Sequence, residues 1–155
     1  MAKFSRKGVT VVKFLDTVAA GVPTRTELDG GTDVTQRIAA IDGFSLENQE
    51  IETPNLADTF DSKIPGSDQA ADSSITFYED DTTSTLEADL AKGTVGWIVI
   101  LAKGDVPAGK GMDIFPVRVA SNSRAYTVDN EAAKFTVKFS ITDRPTLDAA
   151  VPAST

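Results

Sequence analysis

Residues 134–142 read Lys134-Phe135-Thr136-Val137-Lys138-Phe139-Ser140-Ile141-Thr142, and their alternation decides the fold. In an extended chain Phe135, Val137, Phe139 and Ile141 share one face, while Lys134, Thr136, Lys138, Ser140 and Thr142 share the other. A strand with one apolar and one polar face belongs to an antiparallel sheet that covers a core on one side. Working towards the N-terminus, residues 112–121 (MDIFPVRVAS) read as a second strand, in which Pro116 predicts an edge position or a bulge. Residues 96–102 are apolar throughout, the pattern of a strand covered on both faces.

The remaining elements follow from local signals. Residues 74–79 (SITFYE) and 9–14 (VTVVKF) are β-branched and aromatic and predict strands, as does 37–41, which ends at Asp42-Gly43. Residues 24–28, before the turn signal Asp29-Gly30-Gly31, read as a short strand. One helix is predicted. Ser84 and Glu87 have capping-box spacing, Leu86 and Leu90 lie one turn apart, and Lys92 and Gly93 suit its C-terminal end. At about two turns it needs a sheet to lie on. After Pro145 the residues are small and read as a tail. The expected architecture is mainly β, an antiparallel β-sandwich or partial barrel of about six to eight strands with one short flanking α-helix and a long inter-strand loop.

That loop is the segment 44–72, where no period of 2 or 3.6 is sustained and Pro54, Pro65 and Gly66 punctuate the chain. Only 49–53 has the composition of a strand. Such long irregular segments in a compact domain are functional or disordered. Phe44, Leu46, Ile51, Leu56, Phe60 and Ile64 are too many large apolar residues for plain disorder. Two readings stay open: an Ω-like loop folded on its own domain, and an arm that packs on a neighbouring subunit, which is favoured.

Composition narrows the function. One domain with a real core fits 155 residues. The longest apolar run, 97–102, has strand length, so no membrane-spanning helix is expected. The basic start lacks a following apolar stretch, which argues against a secretory leader and for assembly in a cytoplasm. The chain has no cysteine and no histidine, which removes thiolate chemistry, the commonest general base and the commonest zinc ligands. Binding or structural roles are favoured over catalysis. Residues 104–111 (GDVPAGKG) resemble a phosphate-binding loop, but Gly111 stands where Ser or Thr should be, Pro107 lacks an N–H, and a strand follows instead of a helix. A hairpin loop is expected there. Glu79-Asp80-Asp81 lacks metal-loop spacing and sits before the predicted helix, where acids are favoured. Trp97 and Tyr126 lack basic neighbours and read as core or interface aromatics. No catalytic, cofactor or metal site is therefore expected.

The formal charge of −8 is unevenly spread. Residues 1–14 hold Lys3, Arg6, Lys7 and Lys13 and no acid, while 44–72 holds Glu47, Glu50, Glu52, Asp58, Asp61, Asp68 and Asp72 against Lys63 alone. One end of the chain is complementary to its middle.

A series of landmarks adds a resemblance. Ile51-Glu52-Thr53-Pro54-Asn55-Leu56, Lys63-Ile64-Pro65-Gly66, 73–81 (SSITFYEDD), 91–100 (AKGTVGWIVI), 115–121 (FPVRVAS) and 139–145 (FSITDRP) occur in one order. Together they resemble the major tail tube proteins of long-tailed, non-contractile bacteriophages of the siphovirus type with actinobacterial hosts, over most of residues 8–150. The resemblance implies a single tail tube domain over 1–155, with an N-terminal arm at 1–8, a long assembly loop at 44–72 and a C-terminal tail at 143–155. It implies hexameric rings, stacked helically into a tube in the virion, around a tape measure protein. Tail terminator and distal tail proteins would close the ends, and double-stranded DNA would pass through without specific binding. Ring-to-ring contact is implied for the loop and the N-terminal arm. On that basis the self-assembly candidates are Lys3, Phe4, Arg6, Lys7, Phe44, Leu46, Ile51, Leu56, Asp58, Phe60, Asp61 and Ile64. The rival expectation is a monomeric β-sandwich binding or adhesion module.

Overall fold

A computed structural model describes residues 1–153. In chain order its elements are β1 (Val11–Leu15), α1 (Arg25–Asp29), β2 (Thr32–Asp33), a 3-10 turn (Thr35–Arg37), β3 (Ile38–Asp42), β4 (Leu46–Asn48), β5 (Ile51–Thr53), β6 (Ser62–Ile64) and β7 (Asp68–Ala70). These are followed by β8 (Ser73–Tyr78), α2 (Thr85–Asp89), β9 (Val95–Leu101), β10 (Lys110–Ala125), β11 (Lys134–Ile141) and β12 (Thr146–Ala150).

The main sheet runs β2-β1-β9-β10-β11-β8-β3, antiparallel throughout, with β12 beside β10. Its two end strands, β2 and β3, are joined by residues 34–37 alone, so the sheet must curl until its ends approach each other. The joint is bonded: Val34 N donates to the Val12 carbonyl (3.1 Å), and Val12 N donates to the Thr35 hydroxyl (2.9 Å). The mainly β, antiparallel, partial-barrel expectation holds.

Alternation on the strands builds two cores, one on each face. Val12, Phe14, Ile98, Phe115, Val117 and Val119 join Ile75 and Phe77 of β8 and Phe135, Val137 and Phe139 of β11 in the larger one. Leu15, Val99, Leu101, Met112 and Ile114 point the other way, onto Leu28 of α1 and Val151. Burying one such side chain contributes about 1.5–3 kcal/mol, so the body has ample stabilisation without residues 45–72, none of which belongs to either cluster.

Several local readings need correction. Residues 24–28 are not a strand. Thr24 caps α1 in a full capping box with Glu27, whose carboxylate accepts from Thr24 N (3.0 Å) and Ala19 N (2.9 Å). T-x-x-E at that position carries the same signal as the predicted box at Ser84, where the side chain makes no cap bond. α2 is held instead by Leu86 and Leu90 in the core and by Asn122 Nδ2, which donates to the carbonyls of Glu87 and Leu90. Among the described residues there are thus two short helices, not one. Pro116 marks neither an edge nor a bulge. It sits inside β10 where the partner along one side changes from β12 to β11, and its carbonyl accepts from Thr142 N. The register of β10 shifts instead between Val119 and Ser121 against β11, and between Lys110 and Met112 and between Met112 and Ile114 against β12. The stretch expected as a C-terminal tail carries β12.

The largest correction concerns 44–72. It is an ordered, two-tier β-hairpin: β4 pairs β7 at the base and β5 pairs β6 above it. Strands of three residues show too little alternation to be seen as a period.

Candidate self-assembly surface

The arm begins at a constrained root. Gly43 (φ +83°) and Phe44 (φ +56°) are both left-handed, and a Cβ on residue 43 would stand 2.1 Å from the Asp72 carbonyl oxygen. The conformation is sparsely populated for phenylalanine, and packing holds it. The Phe44 ring lies edge-on to Phe115 (5.3 Å between centroids) and tilted to Phe139 (6.1 Å). Phe44 is thus placed on the body's core, half-buried, rather than out on the arm. Leu46, in β4, is also half-buried. Arg144 grips Asp68 of β7 at 2.8 Å and ties the base to the body.

Between the tiers, Asn48 spans a joint. Its amide donates to the Gly66 carbonyl and accepts from Gly66 N, both at 3.0 Å, while Gln49 N donates to the Ser67 carbonyl. Beyond the joint Ile51 and Ile64 stand directly opposite, about half exposed. At the tip Phe60 is 73 % exposed and Leu56 fully so. Asp58 and Asp61 are exposed there too, and the Asp58 carboxylate accepts from Phe60 N. Six of the candidates, Ile51, Leu56, Asp58, Phe60, Asp61 and Ile64, are therefore brought onto one projecting element. Leu56, Phe60, Ile51 and Ile64 thus leave four large apolar side chains half or more exposed on one element.

The N-terminal segment lies elsewhere, along the opening of the larger core. Lys3, Phe4, Arg6 and Lys7 are exposed, and the Arg6 guanidinium stands 6.0 Å from the Phe4 ring centre. Residues 6–10 form a turn, with Val9 N and Thr10 N both donating to the Arg6 carbonyl, and the Thr10 hydroxyl fixes it to the Ala102 carbonyl (2.9 Å). Lys13 departs from this group. It sits on the opposite face of β1, its Nζ directed at the Leu28 carbonyl, so the basic patch consists of Lys3, Arg6 and Lys7. Beside them opens a cleft of about 580 Å³ whose walls include Ile38, Ile41, Phe44 and Ile100.

Tyr126, read from the sequence as a core or interface aromatic, is not in the core but on a second projection. The hairpin between β10 and β11 ends in Tyr126 and Val128, both almost fully exposed. An aromatic in a polar, turn-rich stretch was its only signal. Trp97, by contrast, packs on the smaller core.

Glu27 is held below the usual carboxylate range by the N–H groups of Thr24 and Ala19, and Asp80 by the hydroxyl and N–H of Thr82. Arg124 is raised by its bond to Glu79, and Arg25 by Asp105. Each shifted group is matched to a structural partner. Among the described residues no cluster of three metal-ligating side chains occurs, and no helix is long and apolar enough to cross a membrane. The loop at 102–109 joins β9 to β10 as a hairpin, as expected.

A family model described as "Phage tail tube protein" matches residues 1–154. Solved structures share the fold at low identity. A chain in the extended-state sheath/tube terminator of an extracellular contractile injection system (PVC) aligns with TM-score 0.67 and 13 % identity, covering 96 % of this chain and 99 % of that one. A chain in the six-fold symmetrised baseplate of the anti-feeding prophage gives 0.65 and 11 %, covering 94 % and 97 %. One in the tail of an empty gene transfer agent particle, refined with C6 symmetry, gives 0.62 and 14 %, covering 95 % and 100 %. No match was found among curated proteins.

Proposed function

The chain belongs to the phage tail tube protein family, structural proteins that assemble into the tube of the phage tail, and on that premise we propose how its copies assemble. Six subunits close into a ring, and rings stack helically through the two-tier arm and the N-terminal segment 1–8. The observation that carries this reading is the arm itself, an ordered hairpin whose apolar tip, Leu56 and Phe60, is largely exposed. The six-fold symmetry of the structurally similar gene transfer agent tail and anti-feeding prophage baseplate supports the ring size.

The landmark resemblance extends the reading to a non-contractile, siphovirus-type tail of a phage with an actinobacterial host. The lumen would then hold a tape measure protein and later pass double-stranded DNA, with terminator and distal tail proteins at the ends. A net charge of −8 per copy suits a conduit that DNA crosses without sticking, since phosphate binding needs clustered cations. The proposal also assigns self-assembly to Lys3, Phe4, Arg6, Lys7, Ile51, Leu56, Asp58, Phe60, Asp61 and Ile64, with Phe44 and Leu46 anchoring the arm to the body.

The test is a concentration series followed by light scattering and electron microscopy of the same samples. Rings or filaments with six-fold end views are expected. A species that stays at the mass of one chain at every concentration would favour a monomeric binding module instead.

A further inference from the structure

The arm tip lacks a surface to cover it, and the basic cleft beside the N-terminal turn has the shape and charge to be that surface. Phe44 is both the root of the arm and a wall of the cleft. Residues 46–56 in extended conformation span up to about 35 Å, and paired ladders with the Asn48 joint between them keep the tip outward. None of residues 54–61 lines the cleft of its own subunit, so that cleft is free of its own tip.

Resting on the reading of the arm as an assembly element, we propose that the tip of one subunit seats in this cleft on a second subunit. Leu56 and Phe60 would lie against Ile38, Ile41, Phe44 and Ile100, while Asp58 and Asp61 meet Arg6 and Lys7. The chemistry matches on both counts. The tip is apolar with two carboxylates and no cation, and the cleft is apolar with two exposed cations. One acid, Asp113, also lines it and accepts from Asp148 N (2.9 Å); set against Arg6 and Lys7 it leaves the lining with a net positive charge. The Ala102 carbonyl near Arg6 Nη1 (3.5 Å) steadies that guanidinium at the opening.

Because the chain has no cysteine, introduced thiols are unambiguous. Phe60→Cys and Ile41→Cys are made as separate variants, mixed in equal amounts, polymerised and oxidised. A covalent dimer containing one of each is expected, and it should be absent when either variant is oxidised alone, since a disulfide needs Cα atoms within about 7 Å. Tubes without the mixed dimer, or self-linked Phe60→Cys, would overturn the docking while leaving the tube assignment intact. Failure of the parent chain to polymerise would sink the assembly reading instead. Should the thiol variants not polymerise, a charge exchange decides the matter. Asp58→Lys with Asp61→Lys should slow tube growth roughly tenfold, and adding Arg6→Glu with Lys7→Glu in the same chain should restore it. No restoration overturns the pairing.

Discussion

Gly66 shows how a single position shapes the assembly surface. An alanine Cβ there would stand 2.0 Å from the Gln49 carbonyl oxygen, inside the joint that Asn48 closes. Backbone cannot yield that far without breaking the contact, so the upper tier would be re-aimed. Because none of residues 45–72 belongs to either core, Gly66→Ala should leave the melting temperature of the body unchanged and abolish or slow tube growth. A lowered melting temperature with normal tubes would reverse that assignment. Glu27 offers a test by pH. Its folded pKa is depressed, so its contribution is present above the ordinary value of about 4.5 and is lost as pH falls through the lower folded value. Glutamine keeps one accepting oxygen for two N–H donors. Glu27→Gln should therefore melt below the parent at neutral pH, and the gap should close on acidification below pH 4.5. A gap independent of pH would remove the ionised cap from the account.

At the scale of elements, the arm and the body separate by burial. The arm's tiers pair with each other, and among the described residues its side-chain ion pair to the body is Arg144–Asp68, an exposed contact of the kind that contributes about 0–1 kcal/mol. Replacing residues 45–72 by a short Gly/Ser linker should give a folded, soluble monomer that no longer polymerises, read by circular dichroism and light scattering. Unfolding of the whole domain would place the arm in the core after all. The same scale explains which elements were legible. β8, β9 and β11 have enough residues for an alternation or an unbroken apolar run to stand out, and the expected strands lie there to within a residue or two. β4 to β7 have three residues each. Their existence depends on the pairing of two distant segments, which composition along the chain does not display. α1 was misread for a different reason, since Thr24 and Glu27 carried a cap signal in five residues that also fit a strand.

For the whole molecule the question is how copies of an acidic protein stack. A charge of −8 repels its like, so association needs apolar contact and local attraction. On the proposed reading the basic partner is Lys3, Arg6 and Lys7, since Lys13 faces the Leu28 carbonyl on the other side of β1. The acidic partner in that reading is the arm, where Lys63 is already beside Glu50 (3.6 Å) and offsets little else. Exposed ion pairs contribute about 0.2–1 kcal/mol each, so they set register more than strength. In a polymer the small term recurs at every subunit. Arg6→Glu with Lys7→Glu should slow or abolish tube growth without unfolding the subunit, and added salt should partly restore it by screening the new repulsion over about 8–10 Å. Unchanged tubes at low salt would show that charge does not guide stacking.

The sequence by itself determined the antiparallel β body, because the side-chain period of 2 in residues 134–142 and the doubly apolar run at 96–102 follow from local chemistry. It also excluded cysteine and histidine chemistry and separated basic from acidic segments along the chain. Only the tertiary structure decided where those segments stand. The curl of the sheet follows from β2 and β3 being held at opposite ends by a connection of residues 34–37, a constraint between elements that are distant in the sheet. The arm follows from pairing across the hairpin, which leaves Leu56 and Phe60 exposed at its tip. Local periodicity records which face of a strand seeks burial. Only the packed chain shows which apolar residues find it, and which, like Leu56 and Phe60, stay exposed.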